Sequence, residues 1–230
     1  MPILTFNKEH TMVGYMTELI LTNRKVLCIG GGQVAWRKMA GLVACGARIE
    51  VVAPQLHPEL ARWQAEGRLF YRAEPFQEAL LEEAPRPDLV FAATGEEGLN
   101  RRIAQLAAER GLWCNSADDP ASSGFLVPAV VRRGVVTVAV TSGGLSPALS
   151  RLLKERLDRL LEPGWDHVAQ LFGAWRQRVK ESLADAAQRQ QFWRQTCLAL
   201  EEENRLQGQD NRAWLEERLQ RASADQKRAE

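Results

Sequence analysis

The sequence predicts an α/β fold: a Rossmann-like parallel sheet, followed by a small β segment and a helical C-terminal domain. Three observations lead there. Between Arg24 and Asn115 short apolar runs alternate with helical patterns, as parallel strands joined by crossover helices require. The first run ends on a glycine turn, Gly30-Gly31-Gly32-Gln33-Val34-Ala35. Beyond Ser146 the apolar residues recur almost entirely at helical spacing.

Taken in order, Lys25–Gly30 is the first strand and feeds a helix over about Gln33–Cys45. Arg48–Pro54 is a second strand, stopped by a proline that has no N–H to give a sheet. His57–Gly67 reads as helix, Arg68–Arg72 as a short strand and Pro75–Ala84 as helix. Asp88–Thr94 is the fourth strand, Glu96–Gly111 a helix ended by glycine, and Leu112–Ser116 the fifth strand. Ser123–Gly144 holds two β-rich runs around Arg132-Arg133-Gly134, a hairpin with Gly134 at the turn. Ser146-Pro147 then opens a helix that Pro163-Gly164 closes. The predicted domains are 1–123 (Rossmann-like), 124–145 (β-rich) and 146–230 (helical).

Composition narrows the function by exclusion. Over 230 residues the formal net charge is +1, so no global field draws the chain to nucleic acid or a membrane surface. Its apolar runs are strand-length, far from the roughly 18–20 residues of a membrane span. The first residues lack the order of a secretory signal, which makes cytoplasmic the default. Cys28, Cys45, Cys114 and Cys197 fit neither a zinc ribbon nor a CxxC pair, so no resident metal is expected. Cys28 and Cys114 read as small buried hydrophobes. His10, His57 and His167 are scattered and no GxSxG elbow occurs, so no triad is expected.

The glycine turn is the strongest chemical signal. Gly30 permits a tight strand-to-helix turn, Gly32 lets backbone approach a pyrophosphate, and Ala35 lets the helix lie close on the strand. A dinucleotide is therefore the expected cofactor, its pyrophosphate on the helix N-terminus. The acidic residue expected at the end of the second strand is missing, since Glu50 sits near that strand's beginning. Ligands of an open parallel sheet gather at the carboxyl ends of its strands, here Gly30–Gly32, Pro54, Thr94 and Asn115. Asp118 and Asp119 follow immediately and are either a proton acceptor or turn caps beside Pro120. Ser142, Gly143, Gly144 and Ser146 form a hydroxyl-rich loop before a helix bearing Arg151, Lys154 and Arg156, with Arg132 and Arg133 at the hairpin. Together these suit a substrate with several carboxylates. A nucleotide-sensing regulatory module without catalysis is the alternative these features leave open.

The stretches "VLCIGGGQVAWRK", "FAAT", "NSADDPASSGFLVPAVV" and "VAVTSGGLSPALSRLLKERL" occur in the order of one family. From Tyr15 to Pro163 the chain closely resembles the siroheme synthase N-terminal family, the precorrin-2 dehydrogenases. The resemblance implies NAD-dependent oxidation of precorrin-2 to sirohydrochlorin and, in many members, insertion of Fe2+ as a substrate to give siroheme. It implies a homodimer, with the β segment 124–145 exchanged or paired between subunits. It places the family's key aspartate, implicated in dehydrogenation or chelation, on Asp118 as the catalytic candidate and a serine of its Ser-Gly-Gly stretch on Ser142; Ser142, Asn115 and Ser146 are the candidate substrate contacts. Cofactor contacts fall on Gln33 and Val34 after the glycine turn and on Pro54 and Gln55 after the second strand. The extra stretch before Tyr15 makes Met12 a candidate start. The length leaves no room for the methyltransferase that fusions of this family append, so precorrin-2 is expected to be made elsewhere.

Overall fold

The computed structural model describes residues 14–206 and 210–229; His10 and Met12 lie outside them. The chain divides into two compact units. One runs through Val127 and includes Gly143–Leu145; the other holds Pro128–Ser142 and everything from Ser146.

The first unit is built on β1 (Lys25–Ile29), β2 (Arg48–Val52), β3 (Phe70–Arg72), β4 (Leu89–Ala92) and β5 (Trp113–Ser116). They form one sheet in the order β3-β2-β1-β4-β5, and every pairing is parallel. Both faces of β1 are covered, which is why its sequence is an unbroken apolar run rather than an alternating one. Val26 and Cys28 face Ala35 and Met39 of α1 (Gln33–Val43) and Leu60 and Trp63 of α2 (Pro58–Ala65). Leu27 and Ile29 face Ile103, Ala104 and Ala107 of α3 (Glu97–Glu109) on the other side. Burying side chains such as Leu27, Ile29 and Phe91 stabilises the sheet by ~1.5–3 kcal/mol each. Chain order reverses between β1 and β4, so a crevice opens at the carboxyl ends of those strands.

One predicted helix is much shorter than expected. Pro75–Ala84 yields only a 3₁₀ turn, Glu78–Leu81, that plugs Leu80 and Leu81 into the core. Pro75 and Pro85 bound too few residues for an α-helix to repay its nucleation. The third strand is likewise only Phe70–Arg72.

In the second unit β6 (Ala129–Arg133) and β7 (Val136–Val140) form an antiparallel pair. Gly134 takes a positive φ of 56° at the turn, and Asp166 accepts a hydrogen bond from the Val135 N–H at 2.8 Å. Four helices complete the unit: α4 (Pro147–Leu160), α5 (Gly164–Ser182), α6 (Ala186–Glu202) and α7 (Asn211–Ala229). Ser146 caps α4 by accepting from Leu149 N, and Asp185 caps α6 by accepting from Gln188 N. Val168, Leu171, Val179, Phe192, Leu200 and Leu215 are among the core of the last three helices. Arg133 donates to the carbonyls of Leu161 and Asp158 at the end of α4, at 2.9 and 2.8 Å. Its guanidinium is thereby committed to a helix C-terminus.

Candidate active site

A cleft of about 550 Å³ lies at the carboxyl ends of β1, β2 and β4. Gly30, Gly32, Gln33, Val34, Pro54, Gln55 and Thr94 all line it. The three glycines have three different local reasons. Gly30 has φ +115°, and a Cβ there would overlap the Ala93 carbonyl. Gly31 is pressed against the Gln55 carbonyl, and its own carbonyl accepts from His57 N at 2.6 Å. Gly31 has no role in the sequence reading, yet it is what lets the loop after β2 close on the turn. Gly32 has nothing within 4 Å of where a Cβ would sit. It is the N-cap of α1, with no side-chain cap bond and no acidic residue in the first turn. The helix therefore presents uncapped backbone N–H groups and the positive end of its dipole to open space, which fits a pyrophosphate. Behind the turn, Trp36 stacks on His57 with ring centroids 5.1 Å apart and planes 7° from parallel. His57 Nδ1 also accepts from Glu59 N, so this histidine caps α2.

Glu50 is held elsewhere, by Lys25 at 2.9 Å and Arg72 at 3.2 Å. No lysine or arginine is among the described residues lining the cleft, and Glu96 is its one ionisable side chain there.

Beyond β5 the two adjacent aspartates part. Asp119 accepts from Ala121 N and Ser122 N and pairs with Arg101 at 3.3 Å, which is the capping arrangement. Asp118 instead accepts from Asn100 Nδ2 at 3.0 Å and Ser116 Oγ at 2.9 Å. Partial burial would by itself raise the Asp118 carboxyl, but those two hydrogen bonds and its own backbone N–H hold it below the usual aspartate range. Asp118 is thus a carboxylate at neutral pH.

Asn100 and Lys38 escaped the sequence reading. Asn100 is fully buried on α3, and its Oδ1 accepts from Thr94 N at 2.9 Å and Thr94 Oγ1 at 2.7 Å. Its Nδ2 donates to Thr94 O at 3.2 Å as well as to Asp118. Lys38, on α1, donates to Asn115 Oδ1 at 2.6 Å, while Asn115 Nδ2 donates to Phe125 O at 2.9 Å. Burial, with Arg37 adding to it, pulls the Lys38 ammonium below the ordinary lysine range, and the Asp118 carboxylate pulls it partly back. A signal for both was present. Asn100 shares a helical face with the buried Ile103, Ala104 and Ala107, and Lys38 lies three residues from buried Ala35. A polar residue on an apolar stripe asks for a partner.

Ser142 and Ser146 belong to the second unit. Ser142 Oγ accepts from Ser146 N and Ser150 Oγ, both at 3.0 Å, and donates to Ser146 O, so it braces the turn into α4. Burial pushes the Cys28 thiol up to about 12 and that of Cys114 up to about 11, consistent with packing rather than chemistry. Among the described residues no group of three or more His, Cys, Asp or Glu side chains is placed to hold a metal. Among them, too, no helix is long and apolar enough to cross a membrane.

Comparison with known proteins gives this geometry a family context. A family described as putative NAD(P)-binding matches residues 18–129, and the sirohaem synthase dimerisation region matches 164–222. The siroheme synthase of Nitrosospira multiformis is 39% identical over 208 residues, covering 88% of this chain and 43% of that protein. The chain is a homologue of the siroheme synthases. The enzyme of Tolumonas auensis, another siroheme synthase, is 40% identical over 173 residues, covering 75% of this chain and 36% of its own. The chain thus spans about two fifths of the length of these siroheme synthases. A solved structure titled "SirC, precorrin-2 dehydrogenase" shares the fold, with a TM-score of 0.69 at 23% identity, over 92% of this chain and 100% of that one. The match to the sirohaem synthase dimerisation region covers α5 and α6 and reaches into α7; the segment 124–145, which the sequence reading gave to pairing between subunits, lies outside that match.

Proposed function

We propose that this protein oxidises precorrin-2 to sirohydrochlorin with NAD+, as a cytoplasmic homodimer. The observation that carries the reading is the pairing, in one unit, of an open glycine-and-helix cradle with an ionised carboxylate tied to the cradle's wall. Gly32 and the α1 N-terminus would hold the pyrophosphate. Gln33 and Val34 would lie along it, and Pro54 and Gln55 would meet the adenosine ribose through backbone. A 2′-phosphate would find no cationic partner among the described lining residues, which favours NAD over NADP.

When bound, the nicotinamide supplies a hydride acceptor. Oxidation removes a hydride and a proton, and positive charge develops on the macrocycle as the hydride departs. Asp118 is placed to stabilise that charge and to take the proton. Its depressed basicity suits the electrostatic half of this task and keeps it ionised over the whole operating range. Of the predicted substrate contacts, Asn115 is buried with its amide committed to Lys38 and Phe125 O, and Ser142 and Ser146 brace the turn into α4, so these three support their local frames. Fe2+ is considered only as a substrate of a second step.

The test is anaerobic incubation with precorrin-2 and NAD+, following sirohydrochlorin and NADH together. Equal formation of both is expected. NAD+ binding without any product would leave the nucleotide sensor standing and sink the oxidation. Adding Fe2+ to the same mixture reads out siroheme.

A further inference from the structure

We propose that Asn100 is the positioning residue that sets the Asp118 carboxylate relative to the cofactor cleft. The inference rests on the oxidation reading for its consequence in catalysis, and on geometry for its substance. Asn100 is fully buried, yet both atoms of its amide are engaged: two bonds reach Oδ1 and two leave Nδ2. Three of the four go to Thr94, which lines the cleft. The fourth reaches Asp118, eighteen residues away in sequence. One side chain therefore measures the distance between the wall of the cleft and the carboxylate.

A purely local role would not need an amide. Closing the turn between β4 and α3 calls for an acceptor facing Thr94 N, and aspartate would supply one beside a helix N-terminus that favours it. Aspartate at this position would place a second carboxylate against Asp118 and leave Thr94 O without its donor. Only the amide gives acceptor to one side and donor to the other. The charged groups around Asp118 are Asp119 beside it, whose partner is Arg101 on α3, and Lys38 on α1. Ser116 of β5 holds the other carboxylate oxygen.

The experiment uses the full chain with Asn100→Ser and Asn100→Ala. The Asp118 carboxyl is titrated by 13C NMR, assigned by difference from Asp118→Asn, and kcat/KM is measured against pH. The Asp118 titration is expected to move upward toward the ordinary aspartate value. Activity at neutral pH is expected to fall about tenfold, mostly in kcat. In an Asp118→Asn background the same substitutions are expected to change activity less than about twofold, because their effect runs through the carboxylate. An Asp118 titration that stays in place in a folded Asn100 variant overturns the proposal, as does an equal activity loss in both backgrounds. If neither variant folds, Thr94→Val decides, because it removes one of the bonds that hold the Asn100 amide: an unmoved Asp118 titration there overturns the proposal. A wild type that makes no sirohydrochlorin defeats the oxidation reading alone, since the NMR titration still judges the positioning.

Discussion

At Asp118 and Asp119 one carboxyl group is spent on backbone and its neighbour is held by side chains, although the sequence offers them as a pair. Two predictions separate them. Asp118→Asn should lower precorrin-2 oxidation by about 10²–10⁴ while NAD+ binding, read by fluorescence titration, stays within about twofold. Asp119→Ala should leave the chemistry alone and cost about 0.5–2 kcal/mol in urea unfolding through loss of a cap. Asp118 also leaves a mark on acid stability. In the unfolded chain an aspartate titrates near 3.8, and in the fold this one titrates lower. As pH falls between those values the unfolded state binds more protons, so stability drops. The contribution is whole above 3.8 and is lost as pH passes through the folded value. Urea unfolding of Asp118→Asn should accordingly show a flatter acid limb than wild type.

The strand–turn–helix from β1 to α1 is where element and function meet, and its glycines predict opposite outcomes. Gly30→Ala meets the Ala93 carbonyl at a φ that side chains rarely adopt, so it should cost at least about 2 kcal/mol of thermal or urea stability. Gly32→Ala meets nothing in the protein. It should leave the melting temperature nearly unchanged and weaken NAD+ binding by about tenfold or more in a calorimetric titration. The βαβ elements were legible because apolar runs such as "KVLCI" and "LVFA" are strand-length, bounded by turn signals and alternate with helical patterns, as buried parallel strands do. Pro75–Ala84 misled because its apolar residues fit a helix while the prolines limiting it act on the backbone, not on the pattern. The cleft residues could be read from the glycine turn and strand ends. Asn100 and Lys38 could not, because their partners lie across the fold and periodicity registers only that a polar group sits where an apolar one is expected.

On the scale of the whole chain, the sheet and the last three helices keep separate cores. Calorimetry should resolve two unfolding transitions. Leu215→Ala, at a fully buried position of α7, should lower the helical one by about 2–5 kcal/mol and leave the sheet's transition in place. Sedimentation should give a mass about twice 25.8 kDa if the helices α5–α7 assemble as the matched dimerisation region implies. The indole of Trp36, lying flat on His57 one helical turn behind the phosphate cradle, also has an optical consequence. A ligand arriving at Gly32 reaches the same helix that carries this ring. NAD+ binding is therefore expected to change the Trp36 emission. The difference in emission between the native chain and Trp36→Phe isolates that change from the other tryptophans, with no dye attached.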